Sequence, residues 1–198
     1  MNKHLKIAAA LLVALPTLTF AQVRTEQTFE KGWKFTREDS KDFSQQTYDD
    51  TKWQSVTVPH DWAIYGPFSI ENDKQKVAIT QDGQKEALEH AGRTGGLPFV
   101  GVGWYRLNFE APAFSSGKKA TLIFDGAMSH ARVYINGQEA GFWPYGYNSF
   151  HIDATPYLKA GEQNTLAVRL ENETESSRWY PGAGLYLSLI HISEPTRQ

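Results

Sequence analysis

Arg132-Val133-Tyr134-Ile135-Asn136-Gly137-Gln138-Glu139-Ala140-Gly141-Phe142 is the stretch on which the fold of this chain turns. Two strand-like runs flank Asn136-Gly137, and an Asn-Gly link between such runs specifies a type I′ hairpin, because both central residues must take positive φ. The same texture repeats outward in both directions. Trp33–Thr36 alternates apolar and polar, and so does Trp104-Tyr105-Arg106-Leu107-Asn108-Phe109. In the latter run, alternation places Trp104, Arg106 and Asn108 on one face and Tyr105, Leu107 and Phe109 on the other. Residues 120–124 form a near-continuous apolar run, expected to be a strand covered on both faces and closed by Asp125-Gly126. Phe150–Asp153 and residues 165–170 complete the set. After Ala21 no stretch has sustained helical periodicity, so the pattern predicts an all-β antiparallel sandwich or barrel.

The first residues stand apart. MNKHLK is basic, IAAALLVALPTLTF is uncharged and apolar, and Thr19 and Ala21 are small residues three and one before a cut. This layout reads as a secretory signal peptide over residues 1–21, cleaved after Ala21, and its apolar run is too short for an ordinary membrane span. A periplasmic or secreted protein with no membrane partner is the expectation. The chain has no Cys, which excludes disulfides and a lipid anchor on an N-terminal Cys. A formal net charge of −2 gives no electrostatic reason to expect nucleic acid. Six Trp, nine Tyr and eleven Phe suit both an all-β core and the flat C–H faces of sugar rings.

Between Pro67 and Pro98 the alternation lapses into charged and polar text, with one weak helical turn expected near residues 86–90. A stretch of that length without strands of its own is usually a functional excursion from a compact domain. Familiar catalytic patterns are missing: the sequence holds no Gly-rich phosphate loop, no metal-spaced His/Asp/Glu cluster and no Gly-x-Ser-x-Gly elbow. No cofactor or metal is expected. His60-Asp61-Trp62 looks like an acid–base pair, but neighbours in an extended segment point to opposite sides, so a structural role is favoured. Asp49-Asp50, Glu38-Asp39 and Glu171-x-Glu173 fall in polar turns or strand ends, where solvated carboxylates are the default. Asn172-Glu173-Thr174 matches the glycosylation sequon, a coincidence in a chain with a bacterial-type signal. ENETESSRWYPGAG, from Glu171 onward, is different: it gathers Arg, Trp and Tyr on a loop ending in glycines, which either permit close backbone approach or supply positive φ.

GWKF (32–35), VPHDW (58–62), GVGWYR (101–106), FDG (124–126), VYINGQEAG (133–141), PYGYNSF (144–150), TPYL (155–158) and SRWYPGAGLY (177–186) resemble, in order and spacing, the N-terminal module of family 2 glycoside hydrolases. The likeness is greatest to exported β-galactosidases of Bacteroides-like bacteria and covers roughly residues 27–186. It implies a jelly-roll β-sandwich, often called the sugar-binding domain, over residues 22–186. It also implies a parent enzyme continuing through an immunoglobulin-like sandwich into a TIM barrel that carries two catalytic Glu. A retaining mechanism requires both carboxyls about 5 Å apart, and a TIM barrel needs about 250 residues. No catalytic residue is therefore expected here, and the chain by itself should be inert. The resemblance further implies that Asn172, Arg178 and Trp179 approach the active-site mouth and contact a β-linked galactoside or related glycan. Two other roles stay open: an independent carbohydrate-binding module, and a structural domain that docks the barrel without touching substrate.

The likeness breaks after Tyr186, where LSLIHISEPTRQ resembles a translated sequencing adapter. Residues 187–198 are therefore expected to be a non-native tail on a truncated frame. By propensity the last strand should nevertheless run on to about Ile192 and be stopped by Pro195.

Overall fold

A computed structural model describes residues 24–69, 71–72, 74–90, 100–173 and 182–193. The signal segment 1–21 with its expected cut, and Pro195, lie outside the described residues. Along the chain the strands are β1 (Thr25–Thr28), β2 (Trp33–Thr36), β3 (Gln54–Val56), β4 (His60–Asp61), β5 (Gln75–Val77), β6 (Leu88–His90), β7 (Gly101–Glu110), β8 (Lys119–Met128), β9 (Ala131–Ile135), β10 (Gln138–Trp143), β11 (Phe150–Asp153), β12 (Gln163–Asn172) and β13 (Gly184–Ser193). Eleven of them form two antiparallel sheets. One runs β1-β13-β8-β11, with β4 also on β13; the other runs β10-β9-β12-β7-β2-β3. A single apolar core lies between them: Leu122, Phe124, Leu185 and Ile190 from the first sheet meet Tyr105, Leu107, Val133, Ile135, Leu166 and Val168 from the second. The expected all-β sandwich is what the chain forms.

The Asn-Gly hairpin is built as read. Asn136 has φ 51° and Gly137 φ 84°, and β9 pairs β10 around them with a bulge between Glu139 and Gly141. The Asn136 side chain reaches further than hairpin chemistry requires. Its Oδ1 accepts from Thr165 N at 2.9 Å, and its Nδ2 donates to Tyr157 O at 2.9 Å and Asn164 Oδ1 at 2.8 Å. The turn is thereby tied to the start of β12.

β7 also alternates as expected, yet both of its faces are covered. Tyr105, Leu107 and Phe109 enter the main core, whereas Trp104 packs with Phe43 and Ala167 in a second, outer cluster joined by Tyr48, Trp53 and Tyr134. Residues 37–53 make that outer cover. Arg106, 1% exposed, fastens it: Nε donates to Asp50 Oδ2 at 2.8 Å, Nη1 to the carbonyls of Phe43 and Gln45, and Nη2 to Tyr48 O at 3.4 Å. Asp50, expected to be solvated, is buried by this pairing, because a buried guanidinium needs an anionic acceptor.

Two further expectations change. Residues 120–124 are not covered on both faces: Ala120, Leu122 and Phe124 are buried, while Thr121 and Ile123 are half-exposed, since none of the described residues buries the outside of β8 there. The excursion after Pro67 does carry strands. β5 pairs β6 in a small separate sheet, and Leu88–His90 is extended rather than helical. Lys74, bound to Glu71 at 2.5 Å and Glu89 at 2.6 Å, cross-links that hairpin. The last strand, expected to about Ile192, pairs with β8 as far as Ser193. Its Ser188 is buried at 1%, and the hydroxyl finds no partner there.

Truncating Arg106 to Ala leaves Asp50 buried without its counter-charge, so urea unfolding should show a loss of about 3–5 kcal/mol. Ser188→Ala should do the opposite, raising stability by about 1 kcal/mol, because a buried hydroxyl without a partner is replaced by a methyl. A lower urea midpoint for Ser188→Ala would contradict the assignment of that hydroxyl as unsatisfied.

Candidate functional site

Register fixes which loops share an end of the sandwich. Asn172 at the close of β12 lies beside Gly101 at the start of β7, and Gly184 at the start of β13 lies beside Met128 at the close of β8. Ala131 at the start of β9 pairs with Trp143 at the close of β10. The connections 62–100, 129–130, 144–149 and 173–183 therefore all emerge together. Asn136-Gly137 and the turns at Gly117 and Gly161 occupy the opposite end. Long polar loops on one end of a rigid sandwich are where binding residues concentrate.

Two side chains brace this end. Ser129 couples the β8–β9 turn to β12: its Oγ donates to Glu171 O at 2.7 Å, and Glu171 N donates to Ser129 O at 2.8 Å. The adjacent His130 takes φ 48° and donates from its backbone to Pro144 O, which ties in the 144–149 loop. Asp61 does the equivalent on the other side. Its Oδ1 accepts from Ala63 N at 3.0 Å and from Ala183 N at 3.1 Å, while Trp62 N donates to Ala183 O at 2.8 Å. The returning limb of the 173–183 loop is held by these bonds. Both glycines of Gly182-Ala183-Gly184 are explained by the protein itself. Gly182 has φ 69° and sits against Tyr186 and Asp61, and a Cβ on Gly184 would overlap the His60 carbonyl.

Beneath the bracing lies an aromatic wedge. Trp62 stacks on Phe35 at 5.4 Å, and His60 Nδ1 lies 2.7 Å from the Tyr105 hydroxyl. Burial pushes the Tyr105 phenol well above its usual range and holds the His60 imidazole below its own; Asp61 opposes the His60 effect and Arg37 adds to it. Arg37 is secured by the Gly66 and Trp62 carbonyls. His60-Asp61-Trp62 is thus a scaffold, as its alternation suggested. Toward solvent the same end exposes Tyr145, Tyr147 and, less so, Tyr186, with Tyr145 and Tyr147 in ring contact at 5.4 Å.

Similarity to known proteins falls on this architecture. The family profile described as "Glycosyl hydrolases family 2, sugar binding domain" matches residues 27–188. The chain belongs to glycosyl hydrolase family 2. It is 39% identical over 176 residues to a β-galactosidase of Bacteroides ovatus, covering 88% of this chain and 19% of that protein. A putative β-glucuronidase of Formosa agariphila is 37% identical over 191 residues, covering 93% of this chain and 17% of that one. Among solved structures, a family 2 member from Bacteroides cellulosilyticus superposes with a TM-score of 0.71 at 32% identity, covering 86% of this chain and 21% of that chain. A β-glycosidase from Bacteroides vulgatus superposes at 0.70 with 34% identity, over 86% and 20%. The chain thus spans about a fifth of the length of the family 2 relatives it matches.

Within this family 2 domain, the three substrate-binding candidates fare differently. Asn172 is placed at the root of the loop, with its side chain only 3% exposed, on the core-facing side of β12. That burial also removes it as a glycan acceptor. Arg178 and Trp179 lie outside the described residues. Sequence reasoning missed Ser129 and the second role of Asp61; both depend on chain segments far apart in the sequence.

Replacing Gly184 by Ala should push β4 off β13, lowering the melting temperature and unfastening Ala183 from Asp61. Amide exchange at Ala183 faster than in the wild type checks this. For His60 the sign follows from a folded pKa below the unfolded value of about 6.5: the unfolded chain binds the extra proton, so stability falls as pH drops below that value. Asp39, whose carboxyl is held down first by Arg169, loses its own contribution only below about pH 4. Between these limits, melting temperature should decline on acidification, and His60→Gln should flatten the slope.

Proposed function

We propose that this chain is the non-catalytic N-terminal module of an exported, retaining family 2 glycosidase acting on a β-galactoside, and that its loop end helps shape the pocket for the terminal sugar. The observation carrying this reading is the convergence of the long loops on one braced end, in a chain that matches only the sugar-binding domain of its relatives. The β-galactosidase name of the Bacteroides ovatus relative supports a galactoside; glucuronidases among the relatives make the sugar's C6 substituent the point to test. Arg178 and Trp179 are assigned to the sugar contact, with Asn172, buried at the root of the same loop, positioning it rather than touching sugar. A guanidinium such as that of Arg178 donates two parallel hydrogen bonds to vicinal acceptors. The exposed tyrosines beside the loop suit a face covered by the immunoglobulin-like and barrel domains of the same protein. Export rests on the signal-like residues 1–21.

The isolated chain should not hydrolyse a chromogenic β-galactoside, since half a pocket supplies few contacts and the acid and nucleophile belong to the barrel. In the full-length enzyme, Arg178→Ala should lower kcat/KM by about tenfold or more, equivalent to about 1.4 kcal/mol of transition-state binding. Unchanged kinetics with a lowered melting temperature would assign the loop to docking instead.

A further inference from the structure

A groove of about 680 Å³ crosses the outer face of the six-stranded sheet, on the opposite side of β12 from Asn172. One wall comes from the segment fastened by Arg106 and presents Asp39, Lys41 and Gln45; the other comes from β9 and β10 and presents Arg132, Tyr134 and Glu139. Arg169 and Glu171 of β12 close one end. We propose that this groove is a second carbohydrate site, taking a neutral hexose oligosaccharide on the Tyr134 ring, separate from the loop end.

Charge, geometry and preorganisation each select that ligand. The lining carries three cations, Lys41, Arg132 and Arg169, against three anions, Asp39, Glu139 and Glu171. No net field favours a phosphate, a uronate or an ammonium group, whereas a ligand with many hydroxyls can use donors and acceptors of both kinds. Tyr134, half-buried, lies nearly parallel to Trp104 beneath it, with centroids 5.6 Å apart and planes at 24°. Trp104 is itself locked, donating Nε1–H to Asp39 Oδ1 at 2.8 Å. The ring is therefore a fixed platform for the C–H face of a pyranose. Burial, then Glu139, raises the Tyr134 phenol, so it stays protonated at neutral pH.

The arginines of the groove are also engaged in ion pairs. Arg169 donates Nε and Nη2 to Asp39 at 3.1 and 2.9 Å, and Nη1 to Glu171 at 2.8 Å. Arg132 donates to Glu139 at 3.1 Å and lies 4.8 Å from the Phe142 centroid. A guanidinium has five N–H groups, so each retains donors beyond these bonds. Ordering such side chains on binding costs little, because the ion pairs already hold them. The volume falls within the range of small-ligand sites and suits a short oligosaccharide.

The test is titration of the ¹⁵N-labelled 198-residue chain with β-1,4-galactotetraose, followed by amide and indole shifts. Saturable shifts at Gln45, Trp104, Tyr134 and Glu139 are expected, with roughly millimolar affinity, as befits few direct contacts. Tyr134→Leu, which keeps an apolar cover over Trp104, should weaken binding about tenfold, as removal of a central aromatic contact does, while Tyr134→Phe should keep it. A dispersed spectrum certifies that each variant is folded. Absence of shifts at these residues, equal binding by Tyr134→Leu, or equal or tighter binding of tri-galacturonate would each overturn the proposal. Shifts confined to residues 144–149 and 182–186 would also overturn it, while supporting the loop-end reading of the proposed function.

Discussion

A buried guanidinium organises the outer half of this molecule. Arg106 stands on β7, at the middle of the six-stranded sheet, on the face that in a two-layer sandwich would ordinarily meet water. Its charge cannot be stripped of solvent without acceptors in compensation. The acceptors are three backbone carbonyls and the Asp50 carboxylate, all supplied by one segment between β2 and β3. Fastening that segment builds the Phe43–Trp104–Ala167 cluster, brings Asp39 onto Arg169 and Trp104, and creates the walls of the outer groove. One ion pair therefore converts a sheet face into a third layer.

At the loop end the bracing is of a different kind, made almost wholly of hydrogen bonds to backbone. Ser129 and Asp61 each satisfy main-chain groups on a segment distant in sequence, from opposite sides of the 173–183 connection. Backbone groups near a strand terminus have no ladder partner, and leaving them buried and unbonded costs about 1–3 kcal/mol each. Supplying those partners from neighbouring turns rigidifies both roots of the loop.

Strand identity was legible because it is a local property. The Asn136-Gly137 turn, the alternation of Trp33–Thr36 and of β7, and the extended character of the run through Ile192 each follow from residues within a few positions of one another. The site was legible only as a family likeness. Residues such as Ser129 carry no motif, and Asp61 reads as one half of a false catalytic pair until β4 is seen against β13. The carboxylate of Asp50 was misjudged for the same reason. A turn aspartate is solvated by default, and only a distant arginine changes that.

The sequence by itself determined an all-β sandwich, its strongest hairpin and its family, because pattern and turn chemistry act over short spans. Tertiary structure decided which faces were covered, which charges were buried and which loops converged. Those outcomes depend on sheet order and register, which join residues such as Arg106 and Asp50, or Ser129 and Glu171, that no local pattern links.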